Sequence, residues 1–259
     1  MGKTAQDILG IACQLFQRCS VTSLKHKKLL VIAPHPDDEI FGCGGLIYRI
    51  KQAGGQVHIL YLTVGTTQDF SKRKQSTMEE RLREIDRVAK FMRFDSFKIA
   101  FPGNDFHLKL DALPQKSLIN EIERGEQVSI EAIRPNILAV PSSHDYNQDH
   151  RAANRAAITA TRPVPSRFKH LVPTVFEYEF PYFTWTSETM LPLPNIFVSL
   201  DERALRAKLD ALKCYRSQLK VNNAPISLQG AETLARVRGI HCGTKAAEAF
   251  TLRRAFIPQ

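Results

Sequence analysis

Residues 29–45, LLVIAPHPDDEIFGCGG, carry the reading from which the rest of the chain can be ordered. The stretch opens with LLVIAP at 29–34, an apolar run of the length and composition of a strand buried on both faces. It then sets His35, Pro36, Asp37, Asp38 and Glu39 in succession. In an open α/β sheet, ligands bind beyond the carboxyl ends of the strands, so this position alone suggests a site. Gly42, Gly44 and Gly45 let backbone approach closely ahead of the next helix, expected at 45–53 and ending at Gly54-Gly55. They do not form G-x-G-x-x-G and give no support to a dinucleotide site.

Working outward, strands are expected at 56–64, 97–101, 136–141, 174–180 and 195–200. Helices are expected at 77–93, around 114–124, at 150–162 and at 201–219, the last with an acidic start. A polar, Lys-rich loop spans roughly 65–76. Strands separated by helices imply βαβ units, hence an α/β fold with a mostly parallel, doubly wound sheet and helices on both faces. No internal repeat or long linker divides the chain, so residues 1–259 read as one domain. Pro163, Pro165, Pro173, Pro181, Pro192 and Pro194 imply an irregular C-terminal subregion over one sheet edge.

The formal charge of +10, from 36 Lys and Arg against 26 Asp and Glu, favours anionic partners. No basic helix interleaved with aromatics and no zinc-finger spacing occurs, so no nucleic acid partner is expected. The five cysteines, Cys13, Cys19, Cys43, Cys214 and Cys242, never form a C-x-x-C pair. That argues against a disulfide framework or a cysteine zinc site and fits a reducing compartment, the cytoplasm. No apolar run reaches the ~18 residues of a membrane-spanning helix. Ile8, Leu9, Ile11, Ala12, Leu15 and Phe16 have helical spacing, broken by Asp7, Gln14 and Gln17. Residues 1–25 therefore read as an amphipathic helical extension packed on the domain. A peripheral membrane contact, at the inner face, or an oligomer contact is its other use.

His35 and Asp38 can turn toward one point, and imidazole and carboxylate are ordinary zinc ligands. A third ligand should come from another strand end. NILAVP at 136–141 is followed by His144 and His150, with Asp145 and Asp149 beside them, and either histidine completes a two-His, one-carboxylate set. Iron(II) favours the same set, so Zn2+ and Fe2+ both remain open. Asp37 is left to take a proton from a metal-activated water, which makes the assembly hydrolytic. Taken singly, Asp-Asp after a strand reads as a helix cap and a lone His as structural. Arg81 and Glu84, one turn apart, read as a surface ion pair. Cys43, in the loop beside the metal, could ligate but reads rather as a small buried residue, and Tyr182 and Trp185 read equally as a stacking face for a ligand ring or as a packed aromatic lid or edge.

These motifs resemble the PIG-L/LmbE family of zinc-dependent de-N-acetylases. PHPDDE at 34–39 is similar to the family's A-H-P-D-D-E, with Pro34 in place of Ala, and QDHRAA at 148–153 to its second metal motif. Thr63-Val64-Gly65, the Arg81/Glu84 pair, Asp105-x-x-Leu108 and the C-terminal Arg238-Gly239 with AEAF at 247–250 support the resemblance. It implies a Rossmann-like fold, His35, Asp38 and His150 as zinc ligands, and Asp37 as general base. It implies Arg81 and Asp105 as substrate contacts and an N-acetylglucosamine derivative as the substrate, with an anionic or lipid-linked aglycone among the choices. Many members carry a His that stabilises the oxyanion or donates a proton where this chain has Asn147, and an Asn amide cannot protonate an amine. His144 and His241 are then candidates for that role, with Asp37 itself. The competing readings are a magnesium phosphoesterase, disfavoured by two histidines, and a non-catalytic carbohydrate- or lipid-binding module.

Overall fold

In the computed structural model, residues 24–68, 75–181, 193–221 and 223–256 are described. Residues 1–23 of the expected N-terminal extension, with Cys13 and Cys19, lie outside the described residues, as do Tyr182 and Trp185. Strand β1 (Lys28–Ala33) leads to α1 (Asp38–Gln52), β2 (Gln56–Val64), a small antiparallel ribbon of β3 (Thr67–Gln68) and β4 (Gln75–Ser76), α2 (Met78–Met92) and β5 (Ser96–Pro102). Then come α3 (Gln115–Arg124), α4 (Ile130–Ile133), β6 (Ile137–Pro141), α5 (Gln148–Ala160) and β7 (Thr174–Tyr178). The chain closes with β8 (Ile196–Ser199), α6 (Glu202–Leu212), α7 (Leu228–His241) and β9 (Ala247–Ala255).

The main sheet has the order β5-β2-β1-β6-β7-β9-β8. The first five strands are parallel, β9 runs antiparallel to β7, and β8 antiparallel to β9. The expected mostly parallel α/β sheet is thus present. The pleat sends alternate residues of β1 to opposite faces. Leu29, Val31 and Ala33 join a core with α1, α2, α6 and α7, while Leu30 and Ile32 join one with α3, α4 and α5. All five are fully buried, which explains the uninterrupted apolar run. The chain order reverses between β1 and β6: β2 and β5 lie on one side, β7 on the other. Their carboxyl ends therefore open the crevice in which α/β sheets bind ligands.

Three expectations need correction. The first helix starts at Asp38, not at 45, so the glycines and Cys43 lie inside it. A Cβ on Gly42 would fall 2.3 Å from the Tyr178 ring, and one on Gly45 2.4 Å from Leu200. These glycines admit β7 and the end of β8 against the helix instead of loosening a loop. The helix expected at 201–219 ends at Leu212, because Tyr215 and Ser217 are bonded to other elements. The prolines at 163–173 do mark a loop, but β8, α6, α7 and β9 beyond them are regular and complete the sheet. Sequence patterning gave no sign of α7 or β9.

Candidate metal centre

β1 ends at Ala33, and His35 follows within the turn into α1, whose first residue is Asp38. β6 ends at Pro141, and His150 lies in the first turn of α5. Adjacent parallel strands thus deliver both segments to one point. His35 Nδ1 is 3.5 Å and His150 Nε2 3.3 Å from the same oxygen, Asp38 Oδ2. One ligand atom from each residue lies within 4.8 Å of the others, and all three side chains are buried. Among the described residues this is the group that could hold a metal ion, and His144 is not in it.

The opposite ring nitrogens carry the strongest sign of purpose. His35 Nε2 is 2.9 Å from Asp149 Oδ2, and His150 Nδ1 is 2.9 Å from Asp145 Oδ2. Each outer nitrogen donates to a carboxylate, so that with a metal bound each inner nitrogen would offer its lone pair on the Asp38 side. This is how metal-binding histidines are oriented and made more basic. The carboxylates are held in turn. Asp149 Oδ1 accepts Leu110 N–H at 2.9 Å, and Asp145 Oδ1 accepts Asn147 N–H at 2.9 Å. The donor set of two imidazoles and a carboxylate fits zinc or iron(II) far better than magnesium. Without the ion, burial opposes the charged forms. His150 and His35 nevertheless hold the Asp38 carboxyl low, and Asp38 and Asp145 hold the His150 pKa well above its usual value.

Asp37 stands beside Asp38 with backbone φ of 109° and ψ of −27°, the left-handed region that a non-glycine residue rarely adopts. Burial, with the Asp38 charge, pushes its carboxyl well above the ordinary range, against the pull of Arg81. Arg81, expected on a surface, is buried, as is Glu84. Its Nη1 donates to Thr67 Oγ1 at 2.8 Å and to His107 Nε2 at 2.9 Å. Glu84 instead accepts from the backbone N–H and hydroxyl of Ser217, at 2.9 and 2.6 Å. The surface-pair reading of Arg81 and Glu84 therefore fails, because α2 packs this face inward.

The other candidate residues are more dispersed. Asn147 caps α5, its Oδ1 accepting Asp149 N–H at 2.9 Å. His144 pairs Nδ1 with Ser143 Oγ at 2.9 Å. Asp105 is exposed in the turn after β5. His241 is exposed at the end of α7, 3.1 Å from Arg238, which donates to Glu179 at 2.8 Å. Cys43 is buried in α1, where burial pushes its thiol up.

Sequence reasoning missed His107, whose ring meets His35 edge-on at 5.3 Å. Burial, helped by Arg81, lowers its pKa to about 3, so it is neutral and accepts the Arg81 N–H. It also missed the roles of Glu39 and Tyr215, joined by a 2.6 Å bond. A lone His in FPGNDFHLKL and a lone Tyr in KCYRSQL carry no spacing signal.

Comparison with known proteins returns deacetylases and a solved structure of the same fold. An Escherichia coli K12 protein named "Uncharacterized deacetylase YaiS" is 28% identical over 196 residues, 74% of this chain and 92% of its own length. The diacetylchitobiose deacetylase of Thermococcus kodakarensis is 28% identical over 204 residues, 74% of this chain and 70% of its own. The crystal structure of the conserved protein TT1542 from Thermus thermophilus superimposes with a TM-score of 0.67 at 25% identity, covering 90% of this chain and 97% of that one. The family described as PIG-L, GlcNAc-PI de-N-acetylase, matches residues 30–161, just over half of the chain and the span that holds His35, Asp38 and His150. The chain belongs to the PIG-L family of de-N-acetylases.

Proposed function

We propose that the protein is a zinc-dependent hydrolase that removes the acetyl group from an N-acetylglucosamine-type amino sugar. The observation that carries this reading is the pair of histidines, each backed by a buried carboxylate, converging on Asp38 with a second carboxylate, Asp37, beside it. The name of the Thermococcus relative supports an acetylated sugar, and the family description supports N-acetylglucosamine.

His35, Asp38 and His150 would hold the metal. When bound, it supplies Lewis acidity, polarising a carbonyl and lowering the pKa of a water toward ~7. Asp37 takes the proton of the attacking water as the C–O bond to the acetyl carbon forms. It returns that proton to the nitrogen as the C–N bond breaks, leaving acetic acid and a free amine, and the acid's remaining proton passes to the amine or to solvent to give acetate. Asp37 is given both steps because it adjoins Asp38, whereas the Asn147 amide is not acidic enough to protonate an amine and neither His144 nor His241 belongs to the His35, Asp38 and His150 cluster. Arg81 steadies Asp37 in its ionised form, and the exposed Asp105 contacts the sugar. A magnesium phosphoesterase does not suit this donor set.

The test is amine release from N-acetylglucosamine, its phosphates and its glycosides by zinc-loaded protein. Wild type should release amine, and Asp37→Asn should retain zinc and lose ~10²–10⁴-fold in rate. Release from none of these substrates with zinc or iron(II) would overturn the hydrolase reading in favour of a binding module.

A further inference from the structure

We propose that Tyr215 is a positioning residue for Asp37, acting through Glu39 on the Asp37 backbone. The inference rests on the hydrolase reading for its catalytic consequence, but its structural part stands alone. Tyr215 is fully buried three residues beyond the end of α6, and its hydroxyl donates to Glu39 Oε1 at 2.6 Å across 176 residues of sequence. The Tyr61 hydroxyl lies 3.1 Å from that of Tyr215. The other Glu39 oxygen, Oε2, accepts the Asp37 backbone N–H at 3.1 Å.

That N–H is the point of leverage. The φ of 109° at Asp37 is a conformation that costs about 1–3 kcal/mol and persists only where the surroundings over-determine it. On its carbonyl side Asp37 is fixed, because its oxygen accepts Ile40 and Phe41 N–H at 3.0 and 2.9 Å. Its side chain caps nothing in α1 and is left for chemistry. On the amide side the hold comes from Glu39, a flexible side chain whose second oxygen is tied to Tyr215.

The segment bearing Tyr215 is itself anchored. Ser217 donates twice to Glu84 on α2, the helix that carries Arg81, and Gln218 Nε2 donates to Ser76 Oγ at 3.2 Å. One short stretch after α6 thus ties the start of α1 to α2. A purely structural tyrosine would need an acceptor for its hydroxyl but would not need that acceptor to hold the backbone of the proposed base.

The test compares Tyr215→Phe, Glu39→Gln and the double variant with wild type, in metal-free and zinc-loaded protein. The readouts are zinc stoichiometry, kcat and KM for amine release, and exchange of the Asp37 amide hydrogen followed by NMR. Tyr215→Phe should bind as much zinc as wild type, keep KM within about twofold and lose ~10- to 100-fold in kcat, the scale of a misplaced catalytic group. Its Asp37 amide should exchange at least about tenfold faster. The double variant should fall no lower than the worse single, as expected for two links of one chain. Unchanged Asp37 exchange in a folded Tyr215→Phe, or kcat losses that multiply in the double, would overturn the proposal. If wild type released no amine, the hydrolase reading would fail, and the exchange measurement alone would decide the positioning role.

Discussion

Truncating Glu248 to alanine should unfold this protein far more readily than any surface change. Glu248, on β9, is 5% exposed and Lys208, on α6, 4%. Lys208 Nζ lies 2.6 Å from Glu248 Oε1 and donates to Phe41 O at 2.7 Å. The two Glu248 oxygens accept Gly45 and Leu46 N–H, each at 2.7 Å. This carboxylate and ammonium therefore fasten the middle of α1 to the C-terminal half of the fold. Removing one partner leaves a buried ammonium without a counter-charge, which costs about 3–5 kcal/mol. In a chain of this size that lowers Tm by about 6–10 °C. Glu248→Gln keeps an acceptor oxygen and should cost less. Lys208→Met combined with Glu248→Gln leaves no buried charge and should recover part of the loss. Thermal and urea unfolding of wild type, these three variants and Lys208→Met alone decides the matter. A Tm fall below about 2 °C in Glu248→Ala, or a double variant worse than the sum of its singles, would refute the reasoning.

Gly42→Ala sets helix propensity, a gain of ~1 kcal/mol, against overpacking of ~1–3 kcal/mol. The new Cβ would meet the buried Tyr178 ring, which is held by a 3.0 Å bond to Ile32 O, so urea unfolding should show a net loss, and a gain would contradict the packing role. Asp145→Ala should weaken zinc binding ~10- to 100-fold by freeing the His150 ring, measured by competition with a chelator, and unchanged affinity would contradict the orienting role. His107 is held down to about 3 in the folded chain against ~6.5 when unfolded. Between those values the unfolded chain binds a proton that the folded chain refuses, so stability rises with pH across the window and is lost on acidification. Metal-free protein should thus lose Tm between pH 7 and 5, His107→Gln should lose less, and equal losses would contradict the assignment.

The strand–helix alternation and the HPDDE segment were legible because a doubly buried parallel strand leaves an unbroken apolar run, as β1 and β6 do. His35 was legible because it follows such a strand; the second histidine was legible only as His144 or His150, and the family resemblance chose His150. The start of α1 was not, since Gly42 and Gly45 read as breakers until Tyr178 and Leu200 are seen pressed against them. Arg81 was misread for a related reason. Its charge sits on the buried face of an otherwise polar helix, where only tertiary packing reveals that Thr67 and His107 receive it. His107, Tyr215 and Glu248 act through partners 26 to 203 residues away, and a single sequence does not display such distances.

The most direct test is the zinc content of the purified protein by elemental analysis, with His150→Ala measured in parallel. About one zinc per chain in wild type, lost in the folded variant, is the expected result for a site with three protein ligands. No bound transition metal in wild type after incubation with zinc or iron(II), or equal zinc in both proteins, would contradict the metal centre at His35, Asp38 and His150.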